Sequence, residues 1–244
     1  MRPLGILIAG EPVPAAAAAR GSFSRMIREA VGSAWPHDWL EIEGRALEPF
    51  SSERAELPDL ERVSGLIVTG SSANVPTREP WILELERYLA RAVAARVPVL
   101  GVCFGHQLLG QALGGLVLKN PRGREIGTVA VEVLVEDSLV RGVSGALAAN
   151  MTHVDSVVKL PPGAQVLART ALDDHAAVRF SETAWGVQFH PEMDAEIIGH
   201  YVAARRAVML EEGLDVTAIE ASLADTPDSA AILRRFAATL ASTC

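Results

Sequence analysis

The first hundred residues alternate short, continuous apolar runs with stretches of helical period. Leu4 to Ala9, Gly65-Leu66-Ile67-Val68-Thr69-Gly70 and Val97 to Val102 show no polar face, the pattern of strands covered on both sides. Leu40 to Ile42 is a shorter strand candidate. Between these runs, Ser22 to Val31 places Phe23, Met26, Ile27 and Ala30 at helical spacing. Pro80 to Arg96 reads as a helix with proline near its first turn. Phe104 to Leu113 reads as another, stopped by Gly114-Gly115. The alanine-rich stretch Ala15 to Ala19 is low in complexity and is expected to be a loop entering the first helix. This alternation predicts an α/β fold with a mostly parallel central sheet and helices on both faces.

The second half changes character. Thr128 to Val135, Val154 to Val158, Gln165 to Thr170, Ala177 to Phe180 and Trp185 to Phe189 are closely spaced strand candidates, with a turn at Pro161-Pro162-Gly163. They predict a small antiparallel extension that returns strands to the main sheet. From Asp194 to residue 244 the period is helical, in two or three segments. With neither internal repeat nor Gly/Ser-rich linker, residues 1–244 are expected to form a single domain, residues 194–244 being a helical extension packed on it.

Composition narrows the function classes. The 244 residues are 49% hydrophobic, enough for a sizeable core, and the formal net charge of -8 comes without a Lys/Arg block. Neither nucleic acid nor a membrane is an expected partner. The apolar start, Leu4 to Ala9, is shorter than a signal-peptide core and runs into Glu11 and Pro12. Cys103 and Cys244 are too few for a disulfide framework, and Cys244, the last residue, is expected to be mobile. A reduced thiol in the cytoplasm is the expectation.

The chemistry concentrates at two places. In Gly101-Val102-Cys103-Phe104-Gly105-His106-Gln107 the cysteine sits where a strand turns sharply into a helix. Such a turn projects the side chain clear of the sheet, and the helix N-terminus favours thiolate. Glycines at 101 and 105 leave the turn uncrowded, and the Phe104 amide is a ready oxyanion donor. Far downstream, Phe189-His190-Pro191-Glu192 ends a strand. His190 could take the thiol proton, and Glu192, two residues on, could orient the ring. Each half alone has a plainer reading, a buried cysteine and a surface turn; together they point to a nucleophile with its base. His37, His106, His175 and His200 are read as structural, as is His153 unless it borders the site. A metal set of His190, Glu192 and His175 lacks recurring ligand spacing, so no metal and no cofactor are expected.

These motifs resemble the class I (triad) glutamine amidotransferases, whose order is Cys, then His, then Glu two residues on. Arg124-Glu125-Ile126-Gly127, and Met151-Thr152-His153-Val154-Asp155 before Leu160-Pro161-Pro162-Gly163, resemble the amidotransferase domain of GMP synthase and its stand-alone relatives. The resemblance covers roughly residues 4 to 193. It implies the flavodoxin-like fold of that family and a thioester on Cys103, formed from the glutamine side-chain amide with His190 and Glu192 as base and orienter. It implies backbone oxyanion donors at Gly70 and Phe104, a glutamine contact at Gln107, and a synthetase partner wherever the ammonia is transferred. The family's Gly-Gly-Pro oxyanion turn is here Thr69-Gly70-Ser71-Ser72-Ala73-Asn74, which keeps Gly70 but changes the loop. About fifty residues after the His-x-Glu motif are too few for the ATP-using domain of GMP synthase, so GMP formation by this chain alone is not expected. Three alternatives remain open. A γ-glutamyl peptide hydrolase would share every catalytic residue. A dienelactone-hydrolase-like enzyme would place its acid before the histidine. A DJ-1-like reactive-cysteine stress or binding protein would use a glutamate near the end of the first strand, where Glu11 stands.

Overall fold

The computed structural model describes residues 1–44, 57–143 and 145–241. The strands are β1 (Leu4–Ile8), β2 (Trp39–Glu43), β3 (Gly65–Val68), β4 (Val99–Val102), β5 (Leu116–Lys119), β6 (Glu125–Val133), β7 (Ala146–His153), β8 (Asp155–Lys159), β9 (Gln165–Arg169), β10 (Ala177–Ser181) and β11 (Ala184–Val187). The helices are α1 (Pro14–Arg20), α2 (Phe23–Val31), α3 (Pro80–Ala94), α4 (Phe104–Ala112), α5 (Ala195–Glu211), α6 (Val216–Ala221) and α7 (Pro227–Ala241). Nine strands form one sheet in the order β2-β1-β3-β4-β11-β10-β9-β6-β7. From β2 to β11 neighbours run parallel; from β11 to β7 they run antiparallel. β5 and β8 make a separate antiparallel pair.

The continuous apolar runs have a simple cause. Successive side chains on a strand point to opposite faces, and both faces of the parallel half are covered. Ile6, Ile8, Ile67, Leu100 and Val102 share one core with Ile27 and Val31 of α2 and Ile232, Leu233 and Phe236 of α7. Leu7, Leu66, Val68 and Val99 share the other with Trp81, Leu85 and Leu89 of α3 and Leu108 and Leu109 of α4. A third cluster joins Ala16, Phe23, Met26, Met193, Ile197, Ile198 and Tyr201, and so ties α1 and α5 to α2.

Three elements differ from expectation. Ala15 to Ala19 lies in helix α1, not in a loop. Pro14 fits its first turn, alanine is the strongest helix former, and the Gly21 amide closes the last turn on the Ala17 carbonyl. Burial of Ala16 against the α5 side fixes it, and Arg20 pairs with Asp194. Strand β7, Ala-Leu-Ala-Ala-Asn-Met-Thr-His, was not anticipated because alanine and asparagine are poor strand formers. Eight consecutive register positions against β6 override that preference. Strand β5 was also missed: only Val117 of its four residues is buried. Cys244 lies outside the described residues. No described helix is long and apolar enough to cross a membrane.

Candidate active site

Cys103 stands between β4 and α4 with φ 51° and ψ -103°, a backbone conformation costly for any residue but glycine. The surroundings hold it there. The Cys103 amide donates to the Val187 carbonyl (2.8 Å), and the first turn of α4 closes through Gln107 N–H to the Cys103 carbonyl (3.1 Å). A Cβ on Gly105 would lie 2.4 Å from the Val68 carbonyl oxygen, and one on Gly101 2.4 Å from the Gly105 carbonyl oxygen. The turn therefore packs backbone against backbone, which no side chain permits.

His190 follows β11, the parallel neighbour of β4, with Val102 and Val187 in register. The ladder stops at Val187, two residues short of the expected strand end, and His190 is fixed from elsewhere: its amide donates to the Asn150 carbonyl on β7 (2.9 Å). The ring Nδ1 donates to Glu192 Oε1 at 2.7 Å. Phe23 stacks on the ring at 6.0 Å between centroids, and Tyr201 tilts against it at 6.3 Å. A Cβ on Gly70 would come 2.8 Å from Cε1 of the same ring. The fold thus brings Cys103, His190, Glu192 and Gly70 together, and all three side chains are buried.

Electrostatics pairs the thiol with the ring. Burial pushes the Cys103 thiol up, but the charge and hydrogen bond of His190, with a smaller contribution from His153, outweigh it and hold the thiol below its ordinary value. Burial pulls His190 down, and the Glu192 and Cys103 charges outweigh that, raising the ring to about 10. Both shifts run toward thiolate and imidazolium, the direction of a Cys/His pair that activates a nucleophile.

The cavity beside Cys103 is bordered by the loop Ser71 to Asn74 that follows Gly70, and by Phe104, Gln107, Arg124, Thr152, His153, Asp155 and Arg205. Gln107 is buried and does not lie on the outer face of its helix: its amide donates to the Asp155 carbonyl (2.7 Å) and to Gln188 Oε1 (3.1 Å). Gln188 in turn donates to Cys103 Sγ at 3.5 Å. His153 borders the cavity with its Nδ1 on the Asp155 carbonyl (3.0 Å) and its Nε2 on Glu125 (3.2 Å), the two residues ending β7 and starting β6. Arg124 grips Glu212 with two hydrogen bonds, 2.7 and 3.1 Å. Glu11 is exposed and is not among the residues that shift the Cys103 thiol, which are His190, His153 and Glu192. His106 is a core residue: its ring sits against Gly186, and burial lowers it to about 4. Among the described residues no group of three or more His, Cys, Asp or Glu side chains could hold a metal ion.

Sequence reasoning missed Gln188, Asn150 and Arg205. A glutamine inside the apolar stretch Trp185 to Phe189 is a usable signal for the first, because a buried amide needs partners. Nothing local marks the other two.

A family model for glutamine amidotransferase class-I matches residues 44–210, well over half of the chain. The chain is 37% identical over 134 residues to a glutamine-hydrolyzing GMP synthase of Aeropyrum pernix, covering 55% of this chain and 25% of that protein. It is 30% identical over 164 residues to gamma-glutamyl peptidase 4 of Arabidopsis thaliana, covering 64% of this chain and 65% of that one. The chain thus spans a quarter of the length of the synthase and about two thirds of that of the peptidase. The crystal structure of a glutamine amidotransferase from Thermotoga maritima matches with a TM-score of 0.73 over 98% of both chains, at 18% identity, a likeness of fold. Residues 44–210 contain the whole strand-turn-helix around Cys103 and the His-x-Glu turn, and the chain belongs to the class I glutamine amidotransferases.

Proposed function

We propose that this protein hydrolyses the side-chain amide of glutamine, or the equivalent bond of a γ-glutamyl compound, through a thioester on Cys103. The observation that carries the reading is the buried thiol on its strained turn, facing an imidazole whose far nitrogen is 2.7 Å from Glu192. The thiolate attacks the amide carbon, and the oxyanion is received by the amides of Phe104 and Gly70. Phe104 N–H is the first of α4, with no partner within the helix. The imidazolium gives its proton to the departing nitrogen, the C–N bond breaks, and a γ-glutamyl thioester remains. Water then attacks the thioester, His190 takes its proton, and the C–S bond breaks to give glutamate and the resting pair. Glu192 keeps the ring oriented in both halves. Gln107, tied to Asp155 and Gln188, offers its remaining carbonyl to the glutamyl group.

Water is the final acceptor in this reading. Where ammonia is instead transferred, the same thioester serves and a synthetase partner supplies the acceptor. Residues 1–244 act as a single domain in this reading, and the thiolate chemistry suits a reducing compartment such as the cytoplasm.

The test measures glutamate and amine release from glutamine and from γ-glutamyl dipeptides. Cys103→Ser is expected to abolish both activities, and a glutamine-like diazoketone to label Cys103 in the wild type alone. Full activity in Cys103→Ser overturns the assignment.

A further inference from the structure

Building on that reading, the side of the site that receives the leaving group can be identified. The departing nitrogen takes its proton from His190, so any leaving group larger than ammonia must extend along the His190 side of the thiol. A cavity lies there, bordered by Phe23, Ser71, Thr152, His190, Tyr201 and Arg205. It shares Ser71, Ser72, Thr152 and Arg205 with the cavity beside Cys103, so the two meet along one wall.

Arg205 is the one Lys or Arg among the described residues on the cavity at His190, and its situation is unusual. The guanidinium carbon lies over the Tyr201 ring, 5.0 Å from its centroid, a cation–π contact. Its helix neighbour Arg206 pairs with Glu220, and Arg124, on the cavity beside Cys103, is held in two bonds by Glu212. Arg205 has no hydrogen-bond or ion-pair partner among the described residues. Half-buried guanidinium groups are normally paired, because their five donors lose water on burial. The acid on this cavity, Glu11, is exposed and makes no bond to Arg205. An unpaired fork of donors suits a planar anion, above all a carboxylate.

We propose that Arg205 anchors a carboxylate carried by the leaving group, so that the site prefers γ-glutamyl amino acids and peptides over neutral γ-glutamyl amides. Arg205 lies on α5, outside every motif around the nucleophile, and acts as a specificity residue.

The readout is the ratio of kcat/KM for γ-glutamyl-alanine to that for γ-glutamyl-alaninamide, two substrates that differ only in the terminal charge. A charge-assisted pair predicts a wild-type ratio of roughly 10- to 100-fold, collapsing toward one in Arg205→Gln and partly retained in Arg205→Lys. A ratio near one in the wild type overturns the proposal. So does an equal loss on both substrates in Arg205→Gln, which would place the guanidinium on the glutamyl half. Diazoketone labelling of wild-type Cys103 separates the two levels. Labelling and turnover without charge preference sink the Arg205 assignment alone. Neither labelling nor turnover sinks it together with the thioester reading.

Discussion

Replacing Glu192 with glutamine removes one charge and almost no volume, which makes it the sharpest probe of how the ring is tuned. The carboxylate is buried and its Oε1 is 2.7 Å from His190 Nδ1. A glutamine oxygen can still accept that hydrogen bond, so orientation survives and the charge alone is lost. His190 is raised from 6.5 to about 10 against the pull of burial, and Glu192 is the largest contribution in that direction, ahead of the Cys103 thiolate. The whole rise corresponds to a preference for the protonated ring of ~5 kcal/mol. Losing the Glu192 charge moves the ring down, and a loss of a few kcal/mol costs roughly 10²-fold in a step that must create the imidazolium. In the proposed mechanism that step is the attack of water on the thioester. Glu192→Gln is therefore expected to lower kcat for glutamate release by about 10²-fold, with the acyl-enzyme accumulating in mass spectra. Ring-nitrogen NMR should show His190 titrating lower than in the wild type. A kcat within threefold of wild type, with an unmoved ring titration, would refute the claim that Glu192 supplies the charge.

Two further outcomes follow from contacts and burial. Gly70→Ala puts a methyl 2.8 Å from His190 Cε1, so the ring must shift; kcat/KM should fall by about 10²-fold with a folded circular-dichroism spectrum, and wild-type kinetics would show the ring to be free to give way. His106 titrates at about 4 in the folded chain against about 6.5 unfolded, so the unfolded chain binds more protons between those values; this residue's effect is absent above pH 6.5 and lowers stability as pH falls through 4, by up to ~3 kcal/mol. Denaturant melts at pH 7 and pH 4.5 should show a smaller acid loss in His106→Leu than in wild type, and equal losses would count against a neutral buried ring.

How much of this was legible in the amino-acid order depends on whether the cause was local. The strands of the parallel half are continuous apolar runs because both faces are covered, and that needs no partner to be known. The turn at Cys103 is legible for the same reason: a strand, a cysteine flanked by glycines and a helix follow one another within a dozen residues. The Ala15 to Ala19 helix hides behind low complexity, although alanine's own helical preference favours it. Strand β7 escaped because Ala146 to Asn150 has no strand preference of its own and is ordered by its ladder with β6. That strand supplies the carbonyl holding the His190 backbone, so part of the site's support was hidden with it. Arg205 could not be singled out because the proposal rests on its standing without a partner among the described residues, and no pattern along a helix records that.

The convergence of residues 103 and 190 looks improbable along the chain and becomes simple on the sheet. In a parallel pair, both strands end at the same edge, and loops beyond those carboxyl ends face one another. β4 and β11 are such a pair, and the bond from the Cys103 amide to the Val187 carbonyl locks their ends in step. Cys103 is the first residue after one strand, and His190 the third after the other. Everything between them, residues 104 to 183, carries the chain through α4, the β5–β8 pair and the antiparallel half before β11 returns to the seam beside β4. That excursion also supplies β7, whose Asn150 carbonyl fixes where the chain leaves β11. Parallel pairing chooses the edge, and the antiparallel half chooses where along that edge the imidazole stands.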